Sequence, residues 1–473
     1  MASPSTGVSS VERLEAILRN QEIYSLARLI PEPAASSGGR RRTYPDYMLF
    51  VYEALISVYE SARRVEAELA HPLLWNFMRT IVAELFPDEP DMHLPVEPMR
   101  RHHYLYGRNR YLSDPDILPG ITELHRRFAA DQARVLGLMD PEGLGSWTHP
   151  HQDRIVHADG KVVTPLFRGK PGETRTDKVT GEIKTVRSDP DADLHFEGDG
   201  DTAYGTKFVL VAARTHDERG RIILDVEWVP DRGGEARVAV DCFSRLALLL
   251  PGAQGIVYDT ALRGVHHQKI LRQLGLIPIN RVTAAVGRIK QPRRQGGRRV
   301  EKSAHIDDKR IRLCDGSTKT AHLYSHAGAV GLGELSDTGE LLFRPLLRVR
   351  THRLQDKNRL FRWYNDYLLP PEFDGKTVMV RLHGNEKDAA RRFNRAENVR
   401  PIPPSDADFL RLFPRRNDSE SINRGVVDSL YLGRAHSVGH ARQHVNLIGY
   451  ALMVNSLALH RGRARAPSEA RAA

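Results

Sequence analysis

The order of the elements predicted between residues 154 and 284 restricts the fold more than any other feature of the sequence. Two Val- and Ile-rich runs, Thr206–Ala213 and Arg221–Val229, flank the turn Asp217–Gly220, which predicts a β-hairpin. A strand is predicted before it, over Arg154–Leu166. Four elements follow in the order helix, strand, helix, strand: Glu235–Leu250, Gly255–Asp259, His266–Leu274 and Leu276–Ala284. This mixed order predicts an α/β fold with helices packed on a mixed sheet.

Helices are predicted on both sides of this region. Apolar residues recur at helical spacing in five stretches: Val11–Leu29, Tyr47–Phe77, Ile121–Leu138, Ser419–Leu432 and Ala441–His460. Residues 311–350, in contrast, are predicted to form β-strands joined by polar turns. We therefore expect a helical N-terminal domain, a mixed sheet flanked by helices, and a β-rich insertion before the last helices.

The balance of charge indicates a polyanionic partner. Lys and Arg number 70 against 59 Asp and Glu, which gives a net charge of +11. Such an excess favours nucleic acid, and arginine in particular suits bidentate contacts with phosphate. A basic enzyme acting on another substrate is the alternative, but the sequence contains no Walker loop and no convincing dinucleotide-binding fingerprint.

Cysteine content and hydropathy exclude other classes of protein. Cys242 and Cys314 are the two cysteines, which rules out a zinc ribbon and a disulfide framework and fits a reducing cytosol. The first residues lack the basic and apolar regions of a signal peptide. The sequence has no uninterrupted run of the ~18 apolar residues that suggest a membrane span, so no membrane partner is expected.

Three acids occupy positions that are typical of metal ligands. Asp159 lies inside an otherwise apolar predicted strand, where a carboxylate is costly unless it is paired or binds a metal ion. Asp259 ends the short strand GIVYD, at the carboxyl edge where the sites of α/β sheets gather. Glu420 belongs to a predicted helix, with Arg416 and Arg424 four residues before and after it on the same face.

Each acid also has a structural interpretation. Asp159 would begin a turn with Gly160, Asp259 would cap the following helix, and Glu420 would form surface salt bridges. Taken together, the three acids favour catalysis. Phosphodiester chemistry uses two divalent cations about 4 Å apart, and Mg²⁺ requires oxygen ligands that converge from separate elements.

These acids and their surroundings resemble the DDE transposases of bacterial insertion sequences, in particular the group whose RNase H-like core is split by a β-rich insertion before the last acid. That group carries a Tyr-x-x-Arg-x-x-x-Glu-x-x-x-x-x-x-Lys signature. Phe413, Arg416 and Glu420 stand at the matching spacing, with Phe413 at the Tyr position and Val427 at the Lys position.

The resemblance covers most of residues 45–460, including the helical stretch 55–74 and the C-terminal helix. It implies an RNase H-like α/β fold with five parts. These are a helical DNA-binding region (1–140), the first part of the catalytic core (150–285), a basic, β-rich insertion (286–404), the C-terminal helices of the core (405–460) and a disordered tail (461–473).

The resemblance also implies the chemistry. A DDE transposase cuts the phosphodiester bonds at transposon ends and joins the freed 3′-hydroxyls to target DNA, using two Mg²⁺ or Mn²⁺ ions. Asp159, Asp259 and Glu420 are then the catalytic and metal-binding residues. The expected partner is double-stranded DNA, at the transposon ends and the target, bound by a homo-oligomer in the cytoplasm at the nucleoid.

The strongly basic segment Arg288–Arg312 is predicted to contact DNA, because neutralising phosphates releases counterions. A solvated loop is its alternative. The predicted DNA-binding residues are Arg293, Arg294, Arg298, Arg299, Trp363, His266, Arg416 and Arg424. Trp363 has two interpretations: its ring packs in a core, or it stacks on a flipped base. His266 also has two interpretations: its side chain packs on a helix face, or it contacts DNA.

Two other functions fit the same residues. An RNase H-like nuclease would hydrolyse DNA without strand transfer, and a strand-transfer assay separates it from a transposase. A domesticated transposase would bind DNA without catalysis, and the retention of all three acids argues against it.

Overall fold

The computed structural model describes residues 7–32, 42–196, 201–217, 219–282, 303–335 and 341–465. The described chain is a mixed α/β structure, as the sequence predicts. It divides into two compact units. Unit 1 comprises Met1–Leu138, Gly160–Val238 and Ser419–Ala473, and unit 2 comprises Met139–Asp159 and Ala239–Asp418.

The N-terminal part of unit 1 is helical. Its helices are α1 (Ser10–Leu18), α2 (Gln21–Ala27), α3 (Tyr47–Tyr59), α4 (Ala62–Leu69), α5 (Pro72–Leu85), α6 (Arg101–Gly107) and α7 (Leu118–Val135). Local signals divide the longer predicted stretches. Asn20 caps α2 through its side chain, and Ser61 caps α4. Glu60, with φ of 67°, ends α3 in the left-handed region.

The strands of unit 1 include the predicted hairpin, which is confirmed. They are β2 (Thr174–Thr176), β3 (Ile183–Thr185), β4 (Asp193–Phe196), β5 (Thr202–Arg214) and β6 (Arg221–Trp228), with the end of β1 (Ile155–Val163). β5 pairs with β6 in antiparallel register from Phe208↔Trp228 to Arg214↔Arg221. β2 and β3 pair with each other as a separate ribbon of exposed residues.

The C-terminal part of unit 1 is α14 (His440–Arg465) and most of α13 (Arg416–Gly425); the helix α8 (Glu235–Leu249) also begins in this unit. Leu55 of α3, Ile223 of β6 and Leu452 of α14 are fully buried in one apolar core. The N-terminal helices therefore share their core with the hairpin and with the C-terminal helix.

A buried histidine makes unit 1 sensitive to acid. His444 of α14 lies 2.8 Å from the carbonyl oxygen of Val226 through its Nε2. Burial lowers the pKa of His444 to about 4, despite the favourable carbonyl and the nearby Asp225. Unfolding restores a pKa of about 6.5, so the unfolded chain binds the extra proton first as the pH falls.

We expect the free energy of unfolding to fall between about pH 6.5 and about pH 4, by up to about 3 kcal/mol from this residue alone. His444→Gln should make that decline shallower in urea titrations at a series of pH values. His216→Gln, which changes an exposed histidine of the same unit, is the matched control. Equal pH slopes for the wild type and His444→Gln would contradict this prediction.

The sheet of unit 2 is parallel. It contains the first half of β1, β7 (Gly255–Val257) and β8 (Ile277–Ile279), in that order. α8 continues into this unit, and α9 (Gly264–Lys269) connects β7 to β8. The helix–strand–helix–strand order predicted from the sequence is confirmed.

The remaining strands of unit 2 confirm the β-rich prediction for residues 311–350 and extend it to both sides. One sheet has the order β12-β11-β10-β9 and another has the order β13-β14-β15. Their bounds are β9 Ser303–Arg312, β10 Thr318–His326, β11 Ala329–Leu335, β12 Leu341–Pro345, β13 Leu347–Gln355, β14 Phe361–Leu368 and β15 Thr377–Arg381. Three short helices follow: α10 (Glu386–Ala390), α11 (Arg395–Asn398) and α12 (Ala407–Leu412).

A buried ion-pair network joins β13 to the start of α12. The side chain of Arg348 is 2% exposed. Its Nε lies 2.7 Å from Asp406 Oδ2, and one of its terminal nitrogens lies 2.8 Å from Asp408 Oδ2. The same guanidinium also donates to the backbone carbonyl of Thr148. These contacts satisfy a buried cation that would otherwise be strongly unfavourable.

Candidate functional site

The register of the parallel sheet in unit 2 places two predicted acids side by side. Ile155, Val156 and His157 of β1 each pair with the residue 100 positions later, in β7. Asp159 and Asp259 are separated by the same 100 positions, and each comes two residues after the last pair, His157↔Val257. Since side chains alternate along a strand, this spacing puts the two aspartates level with each other, just beyond the point where β1 and β7 stop pairing.

The two carboxylates are close and half-buried. Asp159 and Asp259 each offer a carboxylate oxygen, and these oxygens are no more than 4.8 Å apart. Oδ1 of Asp259 accepts a hydrogen bond from the backbone N–H of Ala261, at 2.8 Å. The next helix, α9, begins only at Gly264 and has Arg263 as its N-cap residue. Asp259 therefore stabilises the turn after β7, and it does not cap the helix.

This pair of donors fits a hard divalent cation. Carboxylate oxygens are the ligands that Mg²⁺ and Mn²⁺ prefer. Two oxygens bound to one Mg²⁺ at about 2.1 Å lie at most about 4.2 Å apart. The oxygens of the two aspartates lie within 4.8 Å of each other, a separation compatible with both binding one ion.

Glu235, at the start of α8 in unit 1, is a further carboxylate, and its role was not predicted from the sequence. Glu235 forms an ion pair with Lys207 of β5, and both side chains are largely buried. A Cβ atom at Gly160 would lie 2.5 Å from Cδ of Glu235. The end of the Glu235 side chain therefore packs directly over Gly160, which follows Asp159 in β1. One signal in the sequence could have indicated Glu235: it is an acid at the start of a predicted helix, directly after two buried strands.

Glu420 lies on α13 and is exposed. The helix begins at Arg416, so Arg416, Glu420 and Arg424 do lie on one helix, as the sequence predicts. Arg424 is 83% exposed and pairs with Asp428. Glu420 belongs to unit 1, whereas Asp159 and Asp259 belong to unit 2. The structure thus brings the two aspartates together, and the role of Glu420 stays a prediction.

Two predicted DNA-binding residues of unit 2 have structural partners. Trp363 is fully buried in β14 and donates from Nε1 to the carbonyl of Leu271, at 2.7 Å. Trp363 is therefore a core residue, and its ring is not accessible for stacking on a base. Nδ1 of His266 accepts from the backbone N–H of Arg263, at 3.1 Å. Burial, with the nearby Arg263 and Lys269, lowers the pKa of His266, which disfavours a cationic contact with phosphate.

The basic segment is only partly described. The four arginines predicted within it, Arg293, Arg294, Arg298 and Arg299, lie outside the described residues. The end of the segment, from Ser303 to Arg312, forms β9, whose charged side chains include Lys309 and Arg310. Of the predicted disordered tail, residues 461–465 continue α14, and the rest is outside the described chain.

Comparison of the sequence with models of known protein families gives no match. Comparison with curated proteins gives no match either. In the part of the chain that the structure describes, no helix combines the length and the apolar character needed to cross a bilayer.

Proposed function

We propose that the protein is a DDE-type DNA transposase with an RNase H-like core. The observation that carries the proposal is the pair of aspartates, Asp159 and Asp259, just beyond the point where two parallel strands stop pairing. The parallel strands β1, β7 and β8 form a mixed α/β core of the kind that the proposal requires. The β-strands between Ser303 and Arg381, which precede Glu420 in the chain, fit the expected insertion.

In this proposal Asp159 and Asp259 hold two Mg²⁺ or Mn²⁺ ions, and Glu420 completes the triad. Bound ions supply Lewis-acid stabilisation of the attacking and leaving oxygens of the phosphodiester. The half-buried position of the aspartates shields them from bulk water, which strengthens their attraction for cations. Arg416 and Arg424, on the same helix as Glu420, would hold phosphate oxygens.

Glu235 is a second candidate for the third carboxylate. Its side chain packs over Gly160, the residue bonded to Asp159. Glu420→Gln and Glu235→Gln separate the candidates, because each removes one charge and keeps the shape of the side chain. We expect Glu420→Gln to reduce cleavage about 10³-fold and Glu235→Gln to reduce it about tenfold or less. The reverse order, measured as single-turnover cleavage rates, would assign the third position to Glu235.

The proposed reaction is tested with duplexes prepared from the DNA that flanks the gene, where the proposal predicts inverted repeats. The full-length protein is incubated with such duplexes, a plasmid target and Mg²⁺. Covalently joined products with a new bond at the 3′-hydroxyl are expected. Cleavage without joined products would favour the alternative RNase H-like nuclease. Binding without cleavage under any metal condition would favour a domesticated, non-catalytic protein.

The remaining parts of the proposal concern partners. Joining two transposon ends requires a homo-oligomer on DNA. In this proposal the homo-oligomer is located at the nucleoid. The net charge of +11 favours such a partner. The arginines between residues 288 and 312 that are predicted to bind DNA would add contacts with phosphate. Replacing any one of these arginines with alanine should make the dependence of log affinity on log salt shallower, by about 1 in slope.

A further inference from the structure

A helix in unit 1 presents an exposed polar face, on which the ring contacts His102–His103 and Tyr106–Tyr111 stay within the helix itself. α6 continues without a break into a π-helical turn, Arg108–Leu112, so that residues 101–112 form one helical rod. The exposed positions on this rod are His102, Tyr106, Asn109 and Arg110. His102 and Tyr106, four residues apart, lie on one side of α6, and Asn109 and Arg110 lie on the π-helical turn that follows it.

The other side of the rod is packed firmly. Tyr104 and Leu112 are fully buried in the core of unit 1. A Cβ atom at Gly107 would lie 2.4 Å from a methyl carbon of Leu49 on α3, so the rod sits against that helix at its closest approach. The exposed side chains are therefore held on a rigid base, which is the arrangement that a recognition surface requires.

The charge of the rod has one sign. Between Pro98 and Ser113 the sequence contains Arg100, Arg101, Arg108 and Arg110 and no acid. Arg101 is 4.0 Å from Glu66, and Arg108 lies over the ring of Tyr104. Arg100 and Arg110 form no ion pair with a described residue. Tyr106 is 66% exposed, which is unusual for a side chain of its size.

We propose that the helical rod of residues 101–112 enters the major groove of duplex DNA and reads base edges through Tyr106, Asn109 and Arg110. The inference rests on the proposed function, since it assumes that duplex DNA is the substrate. The rise from His102 to Arg110 is at most about 12 Å, the length of three to four base pairs. The major groove admits one α-helix.

The side chains that face outward suit this role. Arginine pairs in bidentate fashion with guanine, and asparagine pairs with adenine. Asn109 and Arg110 are neighbours at the C-terminal end of the rod and would read adjacent base pairs. Arg100, at the other end, is placed to contact the phosphate backbone, which fixes the register of a helix in the groove.

The test is selection from a library of randomised short duplexes by the full-length protein. Wild type should enrich a short sequence motif. Arg110→Ala and Asn109→Ala should each relax the preference at one or two adjacent positions and weaken binding to the enriched duplex by about tenfold. Arg28→Ala, which removes an exposed arginine at the end of α2, should leave both the motif and the affinity unchanged.

Three results would overturn the inference. One is an identical motif and affinity for the wild type, Arg110→Ala and Asn109→Ala. Another is an equal loss of affinity for all duplexes without a change of motif, which indicates phosphate contact alone. A third is a preference for an RNA duplex library over the DNA one. Each leaves the proposed function standing if cleavage and joining still occur, whereas a wild type that neither binds nor cuts DNA removes both.

Discussion

The Asp159→Asn protein is expected to bind the repeat-containing duplex as the wild type does and to cleave it about 10³-fold more slowly or worse. Asparagine keeps the size of the side chain and removes the charge that holds a divalent cation. Loss of metal-ion stabilisation at a phosphodiester is worth several kcal/mol in the barrier, and each 1.36 kcal/mol corresponds to a factor of ten in rate. Asp259→Asn should behave in the same way, because the two carboxylates lie within 4.8 Å of each other.

Single-turnover cleavage in Mg²⁺, with binding measured separately in Ca²⁺, checks this expectation. Asp241→Asn is the matched control, since Asp241 is a partly exposed acid of α8 in unit 2 that pairs with Lys269. Its cleavage rate should stay within a factor of about two of the wild type, as expected for a change of surface charge. Cleavage by Asp159→Asn at the wild-type rate would remove the catalytic assignment altogether.

The Arg348→Ala protein is expected to lose about 3–5 kcal/mol of unfolding free energy in unit 2. The substitution removes the cation that Asp406 and Asp408 share, and it leaves Asp408 with Arg411 and His149. It also leaves the carbonyl of Thr148 without its donor. Urea unfolding followed by tryptophan fluorescence measures the loss, because Trp363 lies in the core of the same unit.

Arg350→Ala provides the control for this prediction, since Arg350 is exposed on the same strand. Its effect should be within about 0.5 kcal/mol. Burial alone would raise the pKa of Asp408, but Arg411, His149 and Arg348 together lower it. The network therefore stabilises the fold above the unfolded pKa of about 4 and loses its effect as the pH falls through the lower folded value. Equal destabilisation by Arg348→Ala at pH 7 and pH 3 would contradict this account.

Sequence periodicity predicted the elements of the sheet well because their burial leaves clear patterns. The hairpin β5–β6 and the helix α8 match their predicted bounds to within a few residues. Asp159 was also found from its position inside an apolar strand, and Asp259 from its position at a strand end. The sequence does not contain their pairing directly, because a parallel register is set by packing between strands far apart in the chain.

Other features depend on tertiary contacts and escaped the sequence analysis. The rod of residues 101–112 is short, and its position follows from packing against α3. Trp363 carries the same sequence signal whether it packs in a core or stacks on a base. Glu235 was assigned to a helix start, but its contact with Lys207 requires the sheet to be formed first.

The register between β1 and β7 also limits how the gene for such a chain can change in length. An insertion or deletion of a single codon between His157 and Asp159, or between Val257 and Asp259, would turn one carboxylate to the opposite side of the sheet. Codons added at the exposed tip of the β2–β3 ribbon, near Val179, would leave that alignment intact. Length variation among natural variants should therefore collect in the ribbon and be missing from the two short strand ends.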